Sequence, residues 1–112
     1  MSKALTEMRC RPCAKGAPAM AADEIARRMP LLHGDWRAEG GKLTRRFAFK
    51  GYAPALMLAN AVAFLAERED HHPDIAFGFG WCEVTFWTHT VGGLSENDFI
   101  CAAKLDALVA PD

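Results

Sequence analysis

At 112 residues with a formal net charge of −1, the chain is sized for one domain with one modest core, and nothing in its charge predicts nucleic acid or an acidic membrane as partner. Its 51% apolar and 24% charged residues are an ordinary soluble mixture. The longest apolar stretch, Ala53 to Ala66, contains Asn60 and falls short of the about 20 residues that span a bilayer.

The opening Met1-Ser2-Lys3-Ala4-Leu5 lacks the apolar core of a secretory signal, so the cytoplasm is the expected compartment and the cysteines are expected to be thiols. Residues 1–20 read as a weakly ordered lead-in, because Pro12, Gly16 and Pro18 break any periodicity. Within it, Cys10-Arg11-Pro12-Cys13 is a C-x-x-C. A zinc ribbon needs a second such pair, and Cys82 and Cys101 are isolated in apolar patterns. The two thiols are therefore read as lying in a mobile tail, with a metal-binding or thiol adaptor as the lesser alternative.

A first helix is predicted from about Ala22, with Asp23 and Glu24 at its positive end and Ile25, Met29 and Leu32 on one face. Pro30 is expected to end or bend it. Trp36 to Glu39, Gly40-Gly41 and Lys42 to Lys50 form a hairpin pattern, since paired glycines accept the positive φ of a tight turn. Leu43, Phe47 and Phe49 share a face with the aliphatic stem of Arg45.

Gly51 to Glu69 is the strongest helix, with Leu58, Val62 and Leu65 in an apolar stripe. Ile75 to Phe79, Gly80 and Trp81 to Thr88 give a second hairpin. On its last strand Cys82, Val84 and Phe86 face one way, while Trp81, Glu83, Thr85, Trp87 and His89 face the other. After Gly92-Gly93-Leu94, Ser95 and Asp98 have capping-box spacing ahead of a final helix over about 96–109, which turns Phe99, Ala102, Ala103 and Leu105 to the core. The order α-β-β-α-β-β-α predicts an α+β domain with three helices on one face of an antiparallel sheet.

Candidate chemistry centres on His71-His72-Pro73 and His89. The adjacent imidazoles follow a helix end where proline turns the chain, and an unperturbed imidazole exchanges protons near neutrality. Adjacent histidines rarely both face one ion, and the helical i, i+4 pair is absent, so acid–base work is favoured over a metal. His33 reads as a surface residue. Glu67, four residues before His71, is placed to bond an imidazole or a ligand amine, or else is a solvated helix-end carboxylate. Asp98 has a structural role as capping acid, and Trp81 and Trp87 are stacking candidates that more often serve packing.

Glu67-Arg68-Glu69-Asp70-His71-His72-Pro73-Asp74, Thr88-His89 and Gly92-Gly93-Leu94-Ser95-Glu96-Asn97-Asp98-Phe99 together resemble the pterin-4a-carbinolamine dehydratase family. Upstream, Gly34-Asp35-Trp36 and Leu43-Thr44-Arg45-Arg46-Phe47-Ala48-Phe49 fit the same pattern, so the resemblance spans roughly 22–108. It implies a dehydratase-like domain over 21–112 with one four-stranded antiparallel sheet and three helices. The implied activity is loss of water from a 4a-hydroxytetrahydropterin to give a quinonoid dihydropterin, with no metal or cofactor, the pterin being substrate.

By position, the resemblance makes His71, His72 and His89 catalytic, with Glu67, Pro73 and Asp98 binding substrate. His72 would be the main proton carrier, His89 would act from another side, and His71 would bind or polarise the hydroxyl. Asn97 stands where some relatives carry a basic residue and Ile75 where some carry tryptophan, departures that bear on affinity. The resemblance also implies a homodimer or homotetramer and a functional link to an aromatic amino-acid hydroxylase. The alternative it brings is an assembly protein or transcriptional dimerisation cofactor with a vestigial pocket, which retention of all three histidines disfavours.

Overall fold

A computed structural model describes residues 4–111. In chain order it has α1 (Ala22–Arg28), β1 (Arg37–Glu39), β2 (Lys42–Ala48), α2 (Ala53–Glu69), β3 (Asp74–Gly78), β4 (Trp81–Phe86) and α3 (Glu96–Val109). The four strands form one sheet in the order β1-β2-β4-β3, antiparallel throughout. The α+β expectation is met, strand for strand.

Local chemistry explains most of the boundaries. Met29–Leu31 tightens into a 3₁₀ turn, with Pro30 near its start, because proline lacks the N–H that would continue α1. Gly40 and Gly41 have φ of +57° and +74°, the paired positive values that let β1 and β2 meet in a two-residue turn. The N-terminus of α3 carries a complete capping box between Ser95 and Asp98.

One sheet face and the helices share the core. Leu43, Phe47, Cys82, Val84 and Phe86 alternate inward from β2 and β4 and are buried. Against them lie Leu58 and Val62 of α2 and Phe99, Ala102 and Leu105 of α3, also buried. Each large apolar side chain removed from water in this way contributes about 1.5–3 kcal/mol before the entropy of ordering is counted. Arg45 occupies an inward position of β2, and its guanidinium lies 4.2 Å from the Phe47 ring centroid. Its Nη1 donates to Asp106 Oδ1 at 2.7 Å, and Asp106 also accepts from the Trp36 indole at 2.7 Å and the His33 N–H at 2.8 Å. His33 itself is exposed, as expected.

The segment before α1, expected from its breakers to be loosely attached, runs against α3. Leu5 is buried, Cys10 N–H donates to Glu69 Oε1 at 2.9 Å, and Arg11 N–H donates to Asn97 Oδ1 at 3.0 Å. Among the described residues no helix is long and apolar enough to cross a membrane.

Candidate active site

The His71 side of the site begins at the end of α2. Asp70 takes a left-handed conformation with φ of +50°, and His71 N–H donates back to the Ala66 carbonyl. This i to i−5 bond closes the helix, and aspartate is among the few side chains that visit the region readily. The reversal turns His71 toward α3, where its Nε2 lies 2.6 Å from Asp98 Oδ1. Its ring also lies parallel to Phe86, with centroids 6.2 Å apart.

Asp98 is wholly buried, and its charge is met by donors. Oδ2 accepts the Ser95 N–H at 2.9 Å and the Thr88 hydroxyl at 2.8 Å. Since the Thr88 hydrogen is committed to Asp98, the 2.8 Å contact between Thr88 and Ser95 hydroxyls is read as Ser95 donating. A carboxylate only accepts, so its bond to His71 places a hydrogen on Nε2, and in the neutral ring the lone pair then lies on Nδ1. Capping acid and histidine partner are thus the same residue.

His72 turns the other way. Its Nε2 lies 3.1 Å from Glu67 Oε1, and both side chains are more than half exposed. Glu67 was placed by sequence near an imidazole; the structure pairs it with His72 rather than with His71, four residues on. Pro73, half-buried, keeps residue 72 extended and leads into β3.

His89 was expected to close a strand. It lies instead in a 3₁₀ turn over His89–Val91, because the β2–β4 ladder ends at Phe86 and Thr88 bridges to Gly93. Its exposed ring lies against Trp87, tilted by 30° with centroids 3.7 Å apart. Trp87 is therefore already occupied on one face, and its indole N–H reaches Asp74 Oδ2 at 3.4 Å. His71 and His89 are linked through Asp98: one bonds Oδ1, while the residue preceding the other bonds Oδ2.

A cavity of about 220 Å³ opens beside His71, bordered by Thr88, Thr90, Asn97, Asp70 and Cys10 to Cys13. The lining does not include His72 or His89. Sequence reasoning did not anticipate Thr88, Thr90 or the N-terminal segment here. The one advance signal was Thr88 standing beside His89 in the motif that carries the family resemblance. A larger groove, about 910 Å³, lies between Leu5, Met8, Arg28, Leu31 and Ala103 and has no histidine on its walls. Among the described residues, no group of three or more His, Cys, Asp or Glu side chains is arranged to hold a metal ion.

Comparison with other proteins gives a consistent result. The family model described as pterin 4 alpha carbinolamine dehydratase matches residues 18–108. A provisionally named pterin-4-alpha-carbinolamine dehydratase of Nitrosomonas europaea is 45% identical over 104 residues, covering 93% of this chain and 92% of that protein. A relative of the same provisional name from Alkaliphilus metalliredigens is 43% identical, covering 91% and 93%. Among solved structures, a transcriptional coactivator/pterin dehydratase from Brucella melitensis superposes with a TM-score of 0.75 at 28% identity, covering 82% of this chain and 99% of that one. A pterin dehydratase-like protein identified as a RuBisCO assembly factor in the alpha-carboxysome superposes with a TM-score of 0.59 at 34% identity, covering 71% and 95%.

Proposed function

Because this chain belongs to the pterin-4a-carbinolamine dehydratase family, we propose that it removes water from a 4a-hydroxytetrahydropterin and returns a quinonoid dihydropterin. The observation that carries this reading is the set of three imidazoles, each with its own partner: His71 on Asp98, His72 on Glu67 and His89 on Trp87. The reaction moves only protons and one oxygen. The N5 proton leaves to a base, the N5 electrons form the bond to C4a, and the 4a-hydroxyl departs as water after taking a proton from an acid.

His72 is the main proton carrier in this reading. If its Nε2–H donates to Glu67 Oε1 at 3.1 Å, Nδ1 is left as the base. His89 serves from the other side, its ring held against Trp87. His71, held by Asp98, binds the 4a-hydroxyl through Nδ1. Glu67 and Pro73 complete the substrate contacts, while the buried Asp98 acts on the substrate through His71. An aromatic amino-acid hydroxylase that leaves such a carbinolamine behind is the class of enzyme that would supply the substrate.

The test is stopped-flow ultraviolet absorbance of freshly generated 4a-hydroxytetrahydropterin with and without protein. A positioned proton carrier contributes about 10²–10⁴-fold, so His72→Ala is expected to lose at least about 10²-fold of the protein-dependent rate. Wild-type rates in that variant would overturn the role of His72, and no acceleration by folded wild-type protein would overturn the activity.

The second reading is an oligomeric assembly role. It is favoured by the assembly-factor neighbour and by Met57 and Phe64, which stand 69% and 67% exposed on α2. That apolar face suits a second copy of this chain, as a dimer or tetramer. A strictly monomeric, catalytically efficient protein in sedimentation equilibrium would remove the assembly reading.

A further inference from the structure

The cysteines take no part in the proposed proton transfers, yet two of them meet across 91 residues of sequence. Cys10 Sγ lies 3.5 Å from Cys101 Sγ. Cys101 is fully buried on α3, while Cys10 is half-buried on the N-terminal segment. Asp98 and Cys101 are three residues apart on α3 and share a helix face, so the sulfur pair lies about one turn from the carboxylate that holds His71. The same segment forms part of the wall of the cavity beside His71. Its polar attachments are Cys10 N–H to Glu69, Arg11 N–H to Asn97, and Asn97 Nδ2 to the Arg11 carbonyl at 2.6 Å, while Leu5, Met8 and Cys10 pack against the core.

We infer that Cys10 and Cys101 are a redox pair whose disulfide fastens residues 9–13 to α3 and fixes that wall of the His71 cavity. The two sulfurs must close from 3.5 Å to a bond of about 2.0 Å, a movement the segment can make and the packed helix need not. The oxidant is a low-molecular-weight disulfide, RSSR, such as oxidised glutathione. The Cys10 thiolate attacks one sulfur, breaking the RS–SR bond and expelling RS⁻, which takes up the Cys10 proton. The Cys101 sulfur then displaces the second RS⁻ from Cys10, and its own proton leaves with that group as RSH. Two thiols are oxidised by two electrons and one RSSR is reduced to two RSH.

The order of attack follows from the surroundings. The hydrogen bond with Cys10 and burial together push the Cys101 thiol up, so Cys10 is the first to react. Cys13 is the competing partner through the C-x-x-C, but its sulfur is turned to Asn97 Nδ2 at 3.7 Å.

The experiment treats the full reduced chain with oxidised glutathione, blocks remaining thiols by alkylation and maps the digest by mass spectrometry. The expected product is a Cys10–Cys101 cross-link about 2 Da lighter than its reduced components, with Cys13 alkylated. Cys13→Ser should still form it, which keeps the test independent of whether Cys101→Ala folds. On oxidation, hydrogen exchange at the Cys10 and Arg11 amides should slow by about tenfold or more. A Cys10–Cys13 bond, glutathione adducts without a protein disulfide, or unchanged exchange in the cross-linked protein would each overturn the inference. None of these readouts uses a pterin, so failure here is distinct from failure of the dehydratase reading.

Discussion

Replacing Asp98 by asparagine should move a proton on His71. The native side chain accepts from His71 at Oδ1 and from Thr88 and Ser95 at Oδ2. In Asp98→Asn one oxygen remains, and two of the three donors need it on the Ser95 side. The amide NH₂ must then face His71 Nε2, which has to accept. The imidazole proton shifts to Nδ1, and the nitrogen turned away from Asp98 changes from acceptor to donor. Bonds to a charged acceptor contribute about 1.5–3 kcal/mol against about 0.5–1.5 for neutral ones. Converting three costs about 3 kcal/mol, and relief of a buried charge returns part of it, for a net loss of about 2 kcal/mol. At this chain length that lowers the melting temperature by about 8 °C. Long-range ¹H–¹⁵N correlation spectra of the imidazole nitrogens read the tautomer, and thermal denaturation reads the stability. On the proposed dehydratase reading, the rate should fall by about tenfold or more, as when the partner that orients a catalytic histidine is lost. An unchanged Nε2–H tautomer in the variant would refute the reasoning.

Two further outcomes follow from buried ion pairs. Asp106→Ala leaves Arg45, whose side chain is only 9% exposed, without its carboxylate and also strands the Trp36 indole, so it should cost about 3 kcal/mol in urea denaturation, while Arg45→Met combined with Asp106→Asn should cost less. Burial alone would raise the Glu69 carboxyl, but hydrogen bonds from Lys104 and Cys10 N–H and the charges of Lys104 and Arg9 hold it below the ordinary 4.5. Its contribution is therefore complete above that ordinary value and is lost as pH falls through the lower folded value; the stability gap between wild type and Glu69→Gln, measured by urea denaturation across pH, should be full at neutrality and shrink in acid.

The candidate site was partly legible in the sequence. The residues themselves nominated His71, His72, His89 and Glu67, the family resemblance added Pro73 and a binding role for Asp98, and the capping box located Asp98 at the start of α3. Which carboxylate serves which imidazole was not legible. Sequence spacing put Glu67 four residues before His71, and only the left-handed turn at Asp70 decides that His71 goes inward to Asp98 while His72 stays with Glu67. Trp87 read as a stacking candidate that more often serves packing, and the turn after β4 brings the His89 ring against it, tilted by 30°. Asn97 read as a substitution in a binding motif, and it is buried with both amide groups committed to the Arg11 backbone.

The order of elements, their apolar faces, the glycine turn between β1 and β2 and the capped start of α3 were all determined locally, because side-chain periodicity and backbone sterics act over a few residues. The Arg45–Asp106 pair, the His71–Asp98 bond and the Cys10–Cys101 contact join positions 61, 27 and 91 residues apart. No local pattern encodes such pairings. They exist because burying the helices on one sheet face brings these polar groups out of water together, where each must find a partner or bear the cost of having none.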